Sequence, residues 1–210
     1  MRYFNKIVIV FLLWICIAAT KDEVKNVLII GDSISMGYTP FVKKALAPNI
    51  NVEHNRGNGG STRRGCDSVE VWSEGTQWDV IVFNFGLHDM VHKDSLGKYN
   101  VNGKVTVTLD EYRKNLKQII ATLRQTTAKL VFVNTTVVPE KADGRMVEDP
   151  ARYNKVAEEV MKENGIKVLD LYTPSLTIHP DNSKPANVHY TDKGYEMLAE
   201  YVTEAIKSIL

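Results

Sequence analysis

The sequence predicts an α/β fold, a three-layer α/β/α sandwich built on a five-stranded parallel sheet. Three observations predict it. Apolar, β-branched runs alternate with amphipathic stretches along most of the chain, the pattern of a parallel sheet covered by helices on both faces. The 210 residues, 44% hydrophobic and 24% charged, suffice for one globular domain with a substantial core, placed at 21–210. Glycine-rich and polar clusters follow several of the apolar runs, at the carboxyl edge where open α/β sheets gather their ligands.

In chain order, Val27-Leu28-Ile29-Ile30 places a first strand over roughly 25–31, closed by the turn Gly31-Asp32-Ser33-Ile34. Apolar spacing predicts a helix near 38–47, a strand over 51–54 and a helix near 63–73. A third strand, 79–85, ends in Asn84-Phe85-Gly86-Leu87-His88-Asp89. The helix near 109–126 opens with Leu109-Asp110-Glu111-Tyr112, an acid-rich first turn suited to the helix dipole. Strands follow over 129–135 and 166–170, separated by a helix near 150–164. The last helix, near 192–209, carries Met197, Leu198, Tyr201, Val202 and Ile206 on one face. The long stretches 86–108 and 136–149 are read as irregular, and as the walls of a substrate pocket.

Before the first strand, Met1-Arg2-Tyr3-Phe4-Asn5-Lys6 is a short basic region, followed by an apolar run from Ile7 to Ala19. That is the pattern of a signal peptide over 1–20, which directs the chain to a secreted or periplasmic location. The alternative is a lipoprotein anchored through Cys16, the one route by which a membrane becomes a partner. Cleavage leaves Cys66 without a partner cysteine, so no disulfide framework is expected. The formal charge is +1, and removal of the leader leaves 24 basic against 25 acidic residues. Such a balance gives nucleic acid no electrostatic handle. The tight basic pair Arg63-Arg64 reads as solvated surface.

Chemistry gathers in four loops. Ser33 follows the first strand, where a buried parallel strand delivers its first loop residue to the sheet edge. A serine hydroxyl becomes a nucleophile only with a base to take its proton and donors for the oxyanion that forms. Asn55-Arg56-Gly57-Asn58-Gly59-Gly60-Ser61-Thr62 and the Gly86-Leu87-His88-Asp89 segment supply candidate donors, and Asn187-Val188-His189-Tyr190 supplies a base just before the last helix.

The order GDSI, N-x-G-x-x-G, a glycine-led block ending in Asp, and V-H before a Gly-Tyr helix resembles the SGNH (GDSL) hydrolase family over nearly the whole mature chain. The resemblance implies a flavodoxin-like SGNH hydrolase fold and a serine esterase. By position it makes Ser33 the nucleophile and His189 the base, with an oxyanion hole formed by Ser33 N–H, Gly60 and a block-three side chain. Two departures stand out. Where the family has Asn, this chain has His88, which as a neutral imidazole can donate one N–H, with Asn84 as the fallback donor. Where the family has an Asp three residues before the base, this chain has Ala186. Asn187, a backbone carbonyl, Asp181 or Asp192 is left to hold the imidazole.

Other residues have plainer expectations. Asp32 and Asp89 are read as loop supports that accept backbone N–H bonds, Asp170 as a loop-fixing acid, and Ser35 as pointing away from the site. His54 and His179 are read as exposed or internally satisfied. His88 and His92 stand four apart with Asp89 between them, but the segment is read as a loop and no third ligand at diagnostic spacing appears, so neither metal nor cofactor is expected. The function expected is a secreted esterase acting on O-acyl, foremost acetyl, groups of carbohydrate, with a small-molecule or polysaccharide ester as partner. Asn58, Arg63, Trp72, Tyr99, Asn100 and Arg145 are the polar and ring-stacking candidates for such a substrate. The alternatives are a lipase, lysophospholipase or thioesterase of the same fold, or a non-catalytic carbohydrate-binding relic.

Overall fold

A computed structural model describes residues 24–210; the expected signal segment and Cys16 lie outside the described residues. The strands form where the chain is most continuously apolar. β1 (Lys25–Ile30) and β3 (Val80–Phe83) bury nearly every side chain, as strands covered on both faces must. They pair in parallel, Val27 opposite Val80, and are flanked by β2 (Ile50–His54), β6 (Lys129–Val133) and β7 (Lys167–Leu169). Across the sheet the order is β2-β1-β3-β6-β7, all parallel. The chain therefore reverses its winding between β1 and β3, and the loops leaving these two strands diverge to open a crevice at the carboxyl edge.

The helices divide between the faces of the sheet. α1 (Ser33–Leu46) packs against α6 (Asp192–Lys207), while α3 (Leu109–Leu123) packs against α2 (Thr62–Ser73) and α4 (Asp149–Glu163). The three-layer sandwich and its five-stranded parallel sheet are as the sequence predicts. Most element ends fall within a few residues of expectation.

Three features differ. α1 starts at Ser33 rather than near 38, because the Asp32 side chain caps it by accepting the Ile34 N–H at 2.9 Å, and Ile34, Ser35, Tyr38, Thr39, Val42 and Leu46 form a continuous buried stripe. Pro40 sits inside this helix and obscured its first two turns in the sequence pattern. The stretch 86–108, read as irregular, contains an antiparallel ribbon of β4 (His92–Lys93) and β5 (Lys104–Val105). A seven-residue helix, α5 (Tyr172–Ile178), lies between β7 and α6 where none was predicted. Two-residue strands and a two-turn helix are too short to leave a periodic signal.

Candidate active site

Ser33 stands at the mouth of the crevice as the first residue of α1. The turn that delivers it is fixed from below: Gly31 N–H donates to Asn55 Oδ1 at 2.8 Å, and fully buried Asp32 caps the helix. Among the described residues, no group accepts the Ser33 N–H. It is one of the orphan donors of a helix N-terminus and points with the positive end of the helix dipole. Ser35 turns inward as expected, its hydroxyl 2.7 Å from Asp32 O and 2.7 Å from His54 Nε2. His54 in turn contacts Asn55 O at 2.8 Å, so it is internally satisfied.

The loop before α6 brings His189 to Ser33, with Nε2 2.9 Å from Ser33 Oγ. The other ring nitrogen, Nδ1, lies 2.8 Å from Asn187 Oδ1. The same Asn187 oxygen accepts the His189 backbone N–H at 2.9 Å, which identifies that atom as the amide oxygen and not the nitrogen. Nδ1 must then carry the proton, leaving the Nε2 lone pair facing the serine hydroxyl. Three of the four alternatives raised for the missing Asp are thereby set aside. Neither Asp181 nor Asp192 hydrogen-bonds the imidazole, and among the described residues no backbone carbonyl does. Asp170 instead accepts from Asn134 Nδ2 at 2.9 Å and from Thr173 N–H at 3.1 Å.

Asn187 reaches back to His189 because Ala186 holds a left-handed conformation, φ 56°. For a non-glycine residue this is strained, on the order of 1 kcal/mol. The loop is braced from behind by His179, whose Nε2 donates to Asn187 O at 2.7 Å. Burial lowers the pKa of His179. Sequence reasoning gave His179 no part in the site; a brace across eight residues of irregular loop has no periodic signature.

The second loop approaches the nucleophile turn closely. Gly59 N–H donates to Gly31 O at 2.7 Å, and a Cβ at Gly59 would fall 2.5 Å from that same oxygen. Gly60 has φ +66°, the left-handed region that glycine enters without penalty. Its N–H, the expected oxyanion donor, points at Asn58 Oδ1, 2.8 Å away. The third loop is tied to the second by Asp89, which accepts both the Thr62 N–H, at 2.9 Å, and the Thr62 hydroxyl. Asp32 and Asp89 thus both accept backbone N–H bonds at helix N-termini.

His88 lines the cavity in front of Ser33, and burial, against the opposing pull of Asp32 and helped by the Arg145 and Lys93 charges, lowers its pKa. That shift favours the neutral ring, which has one N–H to give. Asn84, the fallback donor, is directed elsewhere: its amide donates to Val133 O at 2.8 Å, and it borders a separate small void beneath Leu87. His92 does not converge with His88 but faces Asp149, with 3.8 Å between Nδ1 and the carboxylate. Among the described residues no three His, Cys, Asp or Glu side chains group to hold a metal ion.

The cavity itself has a volume of about 330 Å³. Ser33, Asn58 and His189 stand on its rim with Leu87, His88 and Tyr99 from 86–108 and Ala142, Asp143 and Arg145 from 136–149. Both long loops are walls, as expected. Of the substrate-contact candidates, Asn58, Tyr99 and Arg145 are present, and three are not. Arg63 forms a two-pronged ion pair with Glu111, 2.5 and 2.8 Å, away from the cavity. Trp72 packs against the core, and Asn100 turns its side chain to Asn102 N–H.

Solved structures with the same fold include an acetyl xylan esterase, AlAXEase, at TM-score 0.71 and 20% identity, covering 86% of this chain and 99% of that one. A lipase/acylhydrolase from Enterococcus faecalis matches at TM-score 0.69 and 22% identity, covering 88% and 96%. An acetyl-xylooligosaccharide esterase from Geobacillus matches at TM-score 0.68 and 17% identity, covering 87% and 94%. No curated protein has significant sequence similarity to the chain. The family model for GDSL-like lipase/acylhydrolases matches residues 29–197, a span that runs from the strand before Ser33 through His189 into α6. The chain therefore belongs to the GDSL-like lipase/acylhydrolase family, whose members hydrolyse carboxylic esters.

Proposed function

We propose that this protein is a secreted serine esterase that removes O-acyl groups, acetyl foremost, from carbohydrate. The observation that carries the reading is the chain of contacts Ser33 Oγ to His189 Nε2, 2.9 Å, and His189 Nδ1 to Asn187 Oδ1, 2.8 Å, opening on a cavity. As the Ser33 oxygen attacks the ester carbonyl carbon, its proton passes to His189 Nε2 and the carbonyl π electrons move to oxygen. Ser33 N–H, Gly60 N–H and the His88 ring N–H hold the resulting oxyanion. To receive it, Gly60 N–H exchanges the Asn58 side-chain oxygen for the substrate's, so Asn58 keeps the donor in place until substrate arrives. The imidazolium then protonates the leaving alcohol as its C–O bond breaks, and water repeats the sequence on the acyl-enzyme to release the acid and restore Ser33. Asn187 keeps the imidazole in the required tautomer throughout.

The size and walls of the cavity support a short acyl group on a sugar. About 330 Å³ is at the small end of ligand pockets, and Asn58, Tyr99, His88 and Arg145 offer polar and ring contacts. Some structural neighbours are named as acetyl xylan and acetyl-xylooligosaccharide esterases, which agrees with that choice. The test is rate against acyl length on nitrophenyl esters, C2 to C12, together with acetate release from acetylated xylooligosaccharides. The expected profile peaks at C2 to C4 with acetate released. A maximum at C8 or beyond assigns the site to lipids instead, and no turnover of any ester leaves a carbohydrate-binding relic.

A further inference from the structure

Arg145 lies on the wall of the cavity that Ser33 opens into; Asp143 shares that wall, but among the described residues no carboxylate is within ion-pair distance of the guanidinium. Its Nε donates to Leu87 O at 2.8 Å and its Nη1 to Asp143 O at 3.2 Å. Both acceptors are backbone carbonyls, which fix the guanidinium plane without neutralising it. Those two bonds leave three of the five N–H groups of a guanidinium unused. Arg63, Arg113 and Arg152 each meet a carboxylate. Arg145 forms no ion pair among the described residues, and Asp32 and Asp143 act on it only through space. It is half-buried, and burial lowers its pKa, so its charge is incompletely hydrated. Lys93 Nζ lies 5.9 Å from the ring of Tyr99, itself a wall residue of the cavity. A fixed, partly desolvated cation beside a reactive serine favours a ligand that brings the missing negative charge.

We infer that Arg145 is the receptor for an anionic group, carboxylate or phosphate, carried by the ester substrate. For the carbohydrate esterase proposed above, on which this rests, the substrate class becomes O-acetylated acidic sugar. A guanidinium held in one plane presents parallel N–H bonds to a planar carboxylate, which a lysine in its place could not. The competing role is mechanical: by bonding Leu87 O, Arg145 also joins the two walls of the cavity.

The test compares three acetyl esters on the full mature protein: an acetylated methyl glucuronoside, its uncharged glucuronamide counterpart, and acetylglycerol phosphate. We expect kcat/KM for the uronate to exceed that for the uronamide by ~10-fold or more, mainly through KM, the scale of a charge-assisted hydrogen-bond pair. Added salt should shrink the ratio. Arg145→Gln should bring the ratio close to one and Arg145→Lys should leave it intermediate. A phosphate ester that outruns the uronate assigns the anion to phosphate and overturns the acidic-sugar substrate. Equal rates on uronate and uronamide, or an Arg145→Gln variant that loses the same factor on both with a lowered Tm, overturn the receptor and leave a strut. Calorimetric binding of methyl glucuronoside to Ser33→Ala, with and without Arg145→Gln, reads the receptor without turnover. Failure of the esterase reading and failure of this one are thereby distinguishable.

Discussion

An amide stands behind the imidazole where the family has a carboxylate, and this sets the chemistry of the site. The Asn187 oxygen orients His189 and fixes its tautomer, but brings no full charge to offset the imidazolium of the proposed mechanism. Asn187→Ala should lower kcat by about 10²-fold or more with little change in KM, because the ring is free to turn and to adopt the wrong tautomer. Asn187→Asp keeps both acceptor contacts and adds charge, so kcat should rise and the acid limb of kcat/KM should move to higher pH. A pH–rate profile of the three proteins checks this; an Asn187→Ala variant with wild-type kcat removes Asn187 from the mechanism. His88 is tested in the same way. His88→Ala should cost on the order of 10²-fold in kcat, the scale of one lost oxyanion donor, and His88→Asn should recover part of it. A drop in Tm with unaltered kcat would instead make His88 a loop brace. The sequence named Ser33, Gly60 and His88 because each sits in a motif after a strand, and His189 because its motif opens the last helix. It left Asn187 among several options, since whether its side chain folds back depends on the left-handed backbone of Ala186, which no local pattern specifies.

At the level of elements, Asp89 joins the N-terminus of α2 to the loop after β3, holding Gly60 and His88 in register on the two sides of the site. It also takes an orphan N–H at a helix N-terminus, which Ser61 does not cap with its side chain. Burial pushes the Asp89 carboxyl up to about 7, against the opposing pull of its Thr62 bonds. A folded pKa above the unfolded value of about 4 means that this group's contribution to stability is full below pH 4 and is lost as pH rises through about 7. Asp89→Asn removes that titration, so the difference in Tm between wild type and variant should shrink from pH 4 to pH 8 at the wild type's expense. A difference constant across that range would show that Asp89 is ionised throughout. Elements of this size were legible where the apolar run was long: all five sheet strands and α2, α3, α4 and α6 were placed. α1 was misplaced because Pro40 masks a helix whose true start is the Asp32 cap, and β4, β5 and α5 are set by tertiary contacts rather than by their own sequence.

In the molecule as a whole, the sheet order is what turns scattered motifs into a site. The reversal between β1 and β3 places Ser33 and the His88 loop side by side, and the return of the chain through α6 brings His189 from 156 residues away. The alternation of strands and helices made that order readable, while the side-chain network behind His189 was not. The proposed export is tested at the same scale. Expressed from Met1 in a bacterial host, the protein should be recovered outside the cytoplasm without its first ~20 residues, as N-terminal sequencing would show. An intact Met1 would refute cleavage, and an acylated Cys16 would replace secretion with a lipid anchor.

The central claim is that Ser33 is a nucleophile activated by His189, and a fluorophosphonate reports on it directly. Intact-mass and peptide mass spectrometry after exposure to the probe should find one adduct, on Ser33, absent from Ser33→Ala and formed at least ~10²-fold more slowly in His189→Ala. An unmodified Ser33, an adduct on another residue, or a labelling rate indifferent to His189 would contradict it.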